Sequence, residues 1–475
     1  MNTEADTKGF ISRASVVQSL QTLKQLELNP REVTKAPKSI ILIGGAGVTA
    51  QRYAERISKA DLVVEAVADL KPADQVELRG PLAGAEYLQL TANYSSKDIE
   101  KLTKKYPDAA LVAMTPQDTH TEILLKLAGL IERDSIPTWI DKPLAMSTAE
   151  SIKVLRLLIT HPRLAHLVVS GGYTIDKATP ELIFYGVFDP NYPFSDRIKP
   201  LDSQTPDFLE AYGNTERNRQ KMGSLKNVKF LFVEGRPATR EIIGWVGRAH
   251  LAVFPGGGIT GDLLEHPTDK LFKMGILDID TKLLSVYLGY TSPGTANTSI
   301  PWEKPEGRGL ADIEGEIIMQ NRDGVPILLS YGKRGPEFLG DIRRSKLTFE
   351  HGIIETQYKT TDQGREFNQF TVFNADGSRH NYLLDGDSYA MMLERYKLLW
   401  SGQLTGQSTL YSQLCNAFFI EDIFRLWDQQ NPCLFECSPK ADKFRSNRNK
   451  ELTQHDLEKT EQDWQALLNL HPELK

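Results

Sequence analysis

"SIILIGGAGVTAQRYAERI", Ser39 to Ile57, is the stretch on which the reading of this 475-residue chain turns. An apolar run goes straight into a glycine cluster, and the residues behind it repeat their apolar positions at helical spacing. Strand, glycine turn and helix in that order open a parallel strand–helix–strand unit. Gly45, Gly47 and Ala50 fit the pattern G-x-G-x-x-A. The first glycine permits the tight turn, the second lets backbone approach a pyrophosphate, and the small third residue lets helix and strand pack closely. The helix start at Val48 then offers N–H groups and the positive end of a dipole to an anion. An acid is required roughly 20 residues further on, at the end of the second strand. Asp69 closes the run "LVVEAVAD" at that place. A carboxylate there accepts ribose hydroxyls and repels a 2′-phosphate, so NAD is the expected dinucleotide; Lys71, two residues on, leaves NADP open.

Outward from this turn, short apolar runs alternate with helical segments. "AALVAMTP" and "IPTWIDKP" read as strands, and "SKDIEKLTKKYP", "HTEILLKLAGLIERD" and "TAESIKVLRLLIT" as helices. Near-continuous apolar strands between helices predict an α/β fold, a Rossmann-type doubly wound parallel sheet over residues 38–165. From 166 to 437 the runs "VKFLFVEG", "LLSVYLGY", "GEIIMQN", "VPILLSYG", "KLTFEHG" and "NQFTVFN" return with turn signals such as "NRDG" and "NADG". They predict an α+β domain with a large, mainly antiparallel open sheet. Residues 180–222, rich in Pro, Asp and aromatics and poorly periodic, read as an insertion serving as a lid or an oligomer contact. Residues 1–37 form an extension whose helix carries Val16, Leu20, Leu23 and Leu26 on one side. A charged tail occupies 438–475.

Composition narrows the class. With 40% hydrophobic and 25% charged residues, the chain is expected to bury a substantial core. A formal net charge of −6 argues against a nucleic-acid partner. The first ten residues carry acids and no apolar run, and no stretch reaches the ~18 apolar residues of a membrane span, so a cytoplasmic protein without membrane contact is expected. Cys415, Cys433 and Cys437 are too few for a disulfide framework, and no histidine cluster accompanies them to suggest a metal.

Two further strand ends carry polar groups: Thr115-Pro116, with His120 opening the next helix, and Asp141-Lys142-Pro143. In an open parallel sheet, ligands bind outside the carboxyl ends of the strands, which places these residues with Gly45, Gly47, Val48 and Asp69 as candidate cofactor contacts. A lysine in such a crevice, beside a nicotinamide cation, is expected to lose its proton more easily and to act as acid or base. The order of G-x-G-x-x-A, Asp69, "TP…H" and "DKP" resembles the Gfo/Idh/MocA oxidoreductases over roughly residues 38–175. The family usually has Glu-Lys-Pro; this chain has Asp-Lys-Pro with the lysine kept. The resemblance implies NAD(P)-dependent hydride transfer on a sugar or cyclitol hydroxyl, with Lys142 catalytic.

The family's second signature corresponds to "PGGGITGDLLEHPTDKL", where Gly256, Gly257 and Gly258 precede Asp262, His266 and Asp269. The resemblance implies that His266 bonds the reacting hydroxyl or relays its proton and that Asp262 orients sugar or imidazole. Pro267 directly after His266 predicts a kink or a helix start there. The resemblance further implies that Tyr173 and Lys177 join Lys142, Asp262 and His266 as candidate substrate contacts, and Asp312 is a recurrent family feature. A homodimer or homotetramer is expected, because a large sheet leaves one face to cover. Two other readings keep the same fold: a glycosidase or lyase that uses tightly bound NAD in a transient internal redox cycle, and a non-enzymatic NAD-binding regulator.

Overall fold

The computed structural model describes residues 13–29, 35–46, 48–91, 94–115, 119–145, 148–234, 258–291, 311–333, 342–360 and 366–430. They fall into two units, the first containing the described residues up to Tyr173 together with 388–417, the second containing those of 174–387 and 418–430. The division falls eight residues later than the sequence suggests. The helix Ser388–Trp400 belongs to the first unit.

The first unit is built on six parallel strands: β1 Ser39–Ile43, β2 Val63–Asp69, β3 Glu86–Gln89, β4 Ala109–Ala113, β5 Thr138–Ile140 and β6 Val168–Ser170. Their order is β3-β2-β1-β4-β5-β6, the doubly wound arrangement. Every residue of β1, β4, β5 and β6 is buried, as expected for strands covered on both faces. The strand order reverses between β1 and β4, so the crevice at their carboxyl ends is the place where such sheets bind ligands.

The helix Arg13–Leu28 docks through Val16, Leu20 and Leu23, all at most 6% exposed. The next position on that stripe is Glu27, not Leu26, and it is fully buried. Its carboxylate accepts the backbone N–H groups of Thr409 (2.6 Å), Leu410 (2.8 Å) and Tyr411 (2.8 Å). These are orphan donors at the start of the helix Leu410–Gln430, and a negative charge there also complements the helix dipole.

The second unit holds a nine-stranded sheet: β7 Ile198–Pro200, β8 Leu225–Glu234, β9 Lys282–Thr291, β10 Ala311–Gln320, β11 Pro326–Lys333, β12 Ile342–Phe349, β13 Gly352–Thr360, β14 Glu366–Asn374 and β15 Arg379–Leu384. The order is β7-β15-β14-β13-β12-β8-β11-β10-β9. Only β8 and β11 pair in parallel. Segment 180–222 does not stand off as a lid. It adds β7 to the sheet edge and buries Phe188, Tyr192, Phe194, Phe208 and Tyr212. Phe208 meets Tyr382 edge-on at 5.1 Å and Phe370 at 5.8 Å. Aromatic residues spread over short turns bury well without leaving a period in the sequence. Among the described residues no helix is long and apolar enough to cross a membrane.

Candidate active site

At the end of β1 the left-handed backbone falls on Gly44 (φ 79°). A Cβ on Gly44 would stand 2.7 Å from Thr115 Cγ2 and 2.9 Å from the Met114 carbonyl. The glycine therefore lets the ends of β1 and β4 close on each other. Gly45 has a different reason: its Cβ would meet Val67 of β2 at 2.7 Å. So the tight-turn role read from the sequence onto Gly45 sits one residue earlier, and Gly45 serves close packing. Asp69 reaches back into the turn. Its Oδ2 accepts the Ala46 N–H at 2.9 Å and its Oδ1 accepts the Lys71 N–H at 3.1 Å. Lys71 Nζ lies 3.4 Å from the Ala46 carbonyl oxygen. Each carboxylate oxygen has further accepting capacity, so the same side chain can shape the turn and receive ribose hydroxyls. The turn leads into the helix Val48–Lys59, whose N-terminus completes a donor set suited to a pyrophosphate. Gly47 and Pro116 lie outside the described residues, as do the side chains of Val48 and Asp262.

The loop after β5 begins with Asp141, whose N–H donates to the Ala113 carbonyl at 3.0 Å. Asp141 and Lys142 are half-buried. Asp141 also bears on a buried aromatic cluster. Burial first, and then the Asp141 charge, push the Tyr53 phenol well above its ordinary range. Tyr53 packs on Trp139 (5.5 Å) and Tyr389 (5.0 Å), and Tyr389 stacks on Tyr173 at 4.0 Å. Tyr173, expected as a substrate contact, is thus a stacking residue of the first unit and only 8% exposed.

His120, expected among the cofactor contacts, is enclosed by backbone. It has no exposed surface, and its ring nitrogens face the carbonyl oxygens of Pro143 (Nδ1, 2.8 Å) and Thr115 (Nε2, 3.0 Å). Beside it, Thr121 Oγ1 donates to the Leu144 carbonyl at 3.0 Å. The start of the helix His120–Asp134 therefore ties the loop bearing Lys142 to the end of β4. Thr115 is buried and its hydroxyl accepts from Thr119 at 2.7 Å.

In the second unit a pocket opens on one face of the sheet. Two helices, Gly258–Leu263 and Glu265–Lys273, meet at Leu264, so the second begins just before His266. Pro267 then falls in the first turn, where no intrahelical N–H bond is lost. His266 Nδ1 lies 3.3 Å from Thr174 Oγ1, and its ring stacks on Phe232 at 5.3 Å. These two contacts fix the plane of the imidazole. Lys270, one turn further, lines the same pocket with Lys177. Asp269 does not: it is buried in an ion pair with Lys273. Gly256 and Gly257 lie outside the described residues, as does the side chain of Asp312.

Among the residues of this pocket the sequence reading missed Glu181, Lys270, Arg343, Ser345 and Tyr358. The Lys270 ammonium pairs with Glu181 and lies 3.3 Å from Ser345 Oγ, which donates to Glu181 Oε1 at 2.8 Å. Burial lowers the Lys270 pKa despite the opposing pull of Glu181. Arg343 lies over Phe232 (4.7 Å) and Tyr358 (4.9 Å), and Lys177 over the same Tyr358 ring (3.9 Å). Sequence did carry one usable signal. In "IRRS" the period of two obliges one of two adjacent arginines to share a face with its strand neighbours two residues away. Among the described residues no group of histidine, cysteine, aspartate and glutamate is placed to hold a metal. Cys415 is buried, while Cys433 and Cys437 lie outside the described residues.

No family model and no curated protein sequence matches the chain. Solved structures do. The ketoreductase KijD10 of Actinomadura kijaniata, solved with NADP and TDP-benzene, superposes with a TM-score of 0.51 at 13% identity, over 82% of this chain and 97% of that one. A provisionally assigned myo-inositol dehydrogenase of Sinorhizobium meliloti 1021 gives a TM-score of 0.52 at 14% identity, covering 82% and 98%. A provisionally assigned oxidoreductase of Erwinia carotovora atroseptica SCRI1043 gives 0.53 at 13%, again covering 82% and 98%. At these identities the likeness is one of fold: a Rossmann-type sheet followed by a large mixed sheet, as described above.

Proposed function

We propose that this chain is an oxidoreductase that moves hydride between a sugar or cyclitol hydroxyl and a nicotinamide dinucleotide. The observation that carries the reading is the set of groups at the carboxyl ends of the first sheet. The glycine turn ends β1, Asp69 ends β2, Thr115 follows β4 and Lys142 follows β5. A structural turn alone would not need an acid at the second strand end or a lysine after the fifth. That KijD10, which shares the fold, was solved with NADP supports the same cofactor class here. NAD fits the Asp69 carboxylate, and Lys71 beside the turn is a cation suited to a 2′-phosphate, so NADP also fits.

When bound, the nicotinamide ring supplies the hydride acceptor. The chain's own part is binding and proton management. The backbone around Gly44 and the helix Val48–Lys59 hold the pyrophosphate, and Asp69 receives the ribose. Lys142, kept in place by the His120 tie, is the group of the first unit assigned to moving the hydroxyl proton. A proton relay through such a group contributes about 10²- to 10⁴-fold to rate.

The test is the near-ultraviolet absorbance of reduced nicotinamide with NAD, then NADP, across sugars, sugar acids, sugar phosphates and inositols. Lys142→Ala is expected to reduce turnover by at least ~100-fold while dinucleotide binding, followed by fluorescence quenching, persists. A variant as active as the parent protein would remove Lys142 from the mechanism. Protein that binds neither dinucleotide would overturn the reading as a whole.

A further inference from the structure

The end of β2 sets two opposite charges beside the glycine turn. Asp69 is half-buried and Lys71 exposed, with Leu70, itself exposed, between them. The Asp69 carboxylate is braced against backbone: its two oxygens accept the N–H groups of Ala46 and Lys71. It is therefore fixed in place before a ligand arrives. Acting alone, such a charge favours a ribose with free hydroxyls and repels one that carries a 2′-phosphate.

Lys71 is held as closely as Asp69. Its N–H donates to Asp69 at 3.1 Å, and its carbonyl oxygen accepts the Tyr87 hydroxyl at 2.7 Å. Tyr87 lies on β3, which pairs in parallel with β2. Burial, and then the Asp69 charge, push the Tyr87 phenol up to about 12, so the hydroxyl keeps its proton and goes on donating at neutral pH. With its backbone fixed on both sides, Lys71 lays its ammonium on the turn, 3.4 Å from the Ala46 carbonyl oxygen. Among the described residues that neutral oxygen is the ammonium's one partner, at a long distance, and no carboxylate pairs with it. The next cation along the chain, Arg79, is by contrast paired with Glu77. Asp69 and Lys71 thus act on the same incoming group with opposite sign. Both stand near water, so the repulsion of one and the attraction of the other are weakened alike.

We propose that Lys71, held by Tyr87, receives the 2′-phosphate of an adenosine and offsets the Asp69 repulsion, so that the chain binds NADP and NAD almost equally. This rests on reading the glycine turn as a dinucleotide site, where Asp69 alone would select NAD. A free 2′-hydroxyl bonds the carboxylate and needs nothing from the ammonium, whereas a 2′-phosphate is attracted by the ammonium and repelled by the carboxylate. Tyr87 is a positioning residue: it acts on the phosphate only through Lys71.

The experiment is calorimetric titration of the full-length protein with NAD and NADP, and with AMP and adenosine 2′,5′-bisphosphate, which carry no nicotinamide. The NAD and NADP affinities are expected to agree within about 10-fold, because two opposed charges near the surface nearly cancel. Lys71→Gln should shift the NADP-to-NAD affinity ratio toward NAD on the order of 10- to 100-fold, the size of a lost charged hydrogen bond. Lys71→Arg keeps the charge and adds a planar fork, so it should move the ratio toward NADP. Tyr87→Phe should act in the same direction as Lys71→Gln but by less, since the ammonium stays and only its tether goes. The bisphosphate should follow NADP, and AMP should follow NAD, with the Lys71 contribution shrinking as salt rises. Thermal melts of each variant separate lost binding from lost fold. Selectivity beyond about 10-fold in either direction by the parent protein, or an unchanged ratio in folded Lys71→Gln, would overturn the proposal. Binding needs no turnover, so the two ideas fail separately. A Lys71-dependent ratio without nicotinamide reduction on any substrate would refute the oxidoreductase and keep the phosphate contact. Reduction of NAD by protein that does not bind NADP would do the reverse.

Discussion

Glu181→Gln tests the energetics of the second unit most directly. The pair it breaks is almost wholly withdrawn from water, with the Lys270 side chain 7% and the Glu181 side chain 1% exposed. Burying two ions costs several kcal/mol each, offset by their attraction and by hydrogen bonds to the remaining lone pairs, which Ser345 supplies here. The glutamine keeps the shape and can still accept from Ser345, so the change removes little besides charge. What remains is a buried ammonium that has lost its charged partner. The expected loss is about 3–5 kcal/mol at neutral pH, a large share of the roughly 5–15 kcal/mol by which domains are stable.

The pH dependence has a definite sign. The folded-state pKa of Lys270 lies below the ordinary lysine value of 10.5 because burial outweighs Glu181. Between that lowered value and 10.5 the unfolded chain binds the extra proton, so stability rises with pH across the window. Below the lowered pKa the cost of the buried charge is present in full. Removing Glu181 takes away a pull that raises the pKa, so in the variant the window opens at lower pH and the deficit shrinks as the solution becomes alkaline. Urea titrations by circular dichroism at neutral and mildly alkaline pH would read this as midpoints that converge. A flat deficit below about 1 kcal/mol, the level of an exposed ion pair, would refute the reasoning. Glu181→Leu combined with Lys270→Met should be far less harmful than Glu181→Gln alone, because replacing a buried pair by apolar groups is often neutral or stabilising.

Two further substitutions probe the first unit. Glu27→Ala removes the acceptor of three backbone N–H groups. With the usual cost of a lost cap at ~1 kcal/mol and a buried charged acceptor worth more, a loss of about 2–4 kcal/mol is expected in urea titration. A loss below ~0.5 kcal/mol would show that water takes over the cap. Asp69→Ala is expected to weaken NAD more than NADP in fluorescence titration, because the ribose acceptor goes while Lys71 stays. Some loss should be common to both dinucleotides, since Asp69 also holds the Ala46 N–H of the turn; an unchanged preference would move the ribose contact elsewhere.

What the sequence made legible follows from how each element is buried. The interior strands β1, β4 and β5 read directly, because strands covered on both faces must be apolar throughout. β3 and β7 escaped notice. One is four residues with none fully buried and the other three residues ending in proline, and edge strands need neither an apolar run nor a free N–H on every residue. β13, "GIIETQYKT", carries only one apolar pair among polar residues, yet it lies in the middle of the sheet. Its inward groups include Thr356 and Tyr358, which line a pocket rather than a dry core. A strand that faces a ligand cavity loses the pattern that identifies a strand.

The same physics divides the site. Gly45, Asp69 and Lys142 were visible because backbone geometry and local spacing fix them: each ends or follows a strand whose position the apolar runs already declare. Arg343, Tyr358 and Glu181 come from three separate elements and meet through sheet register and helix packing, which no local spacing encodes. His120 is the opposite case. It stands where a cofactor ligand would stand in sequence, but both ring nitrogens lie on backbone carbonyls and no surface is left for a ligand. Its service to the site is indirect, through the loop that carries Lys142. The residues proposed to hold a dinucleotide are thus encoded locally and can be read along the sequence, whereas the lining of the second unit's pocket is encoded across the second sheet and appears only when its strands are paired.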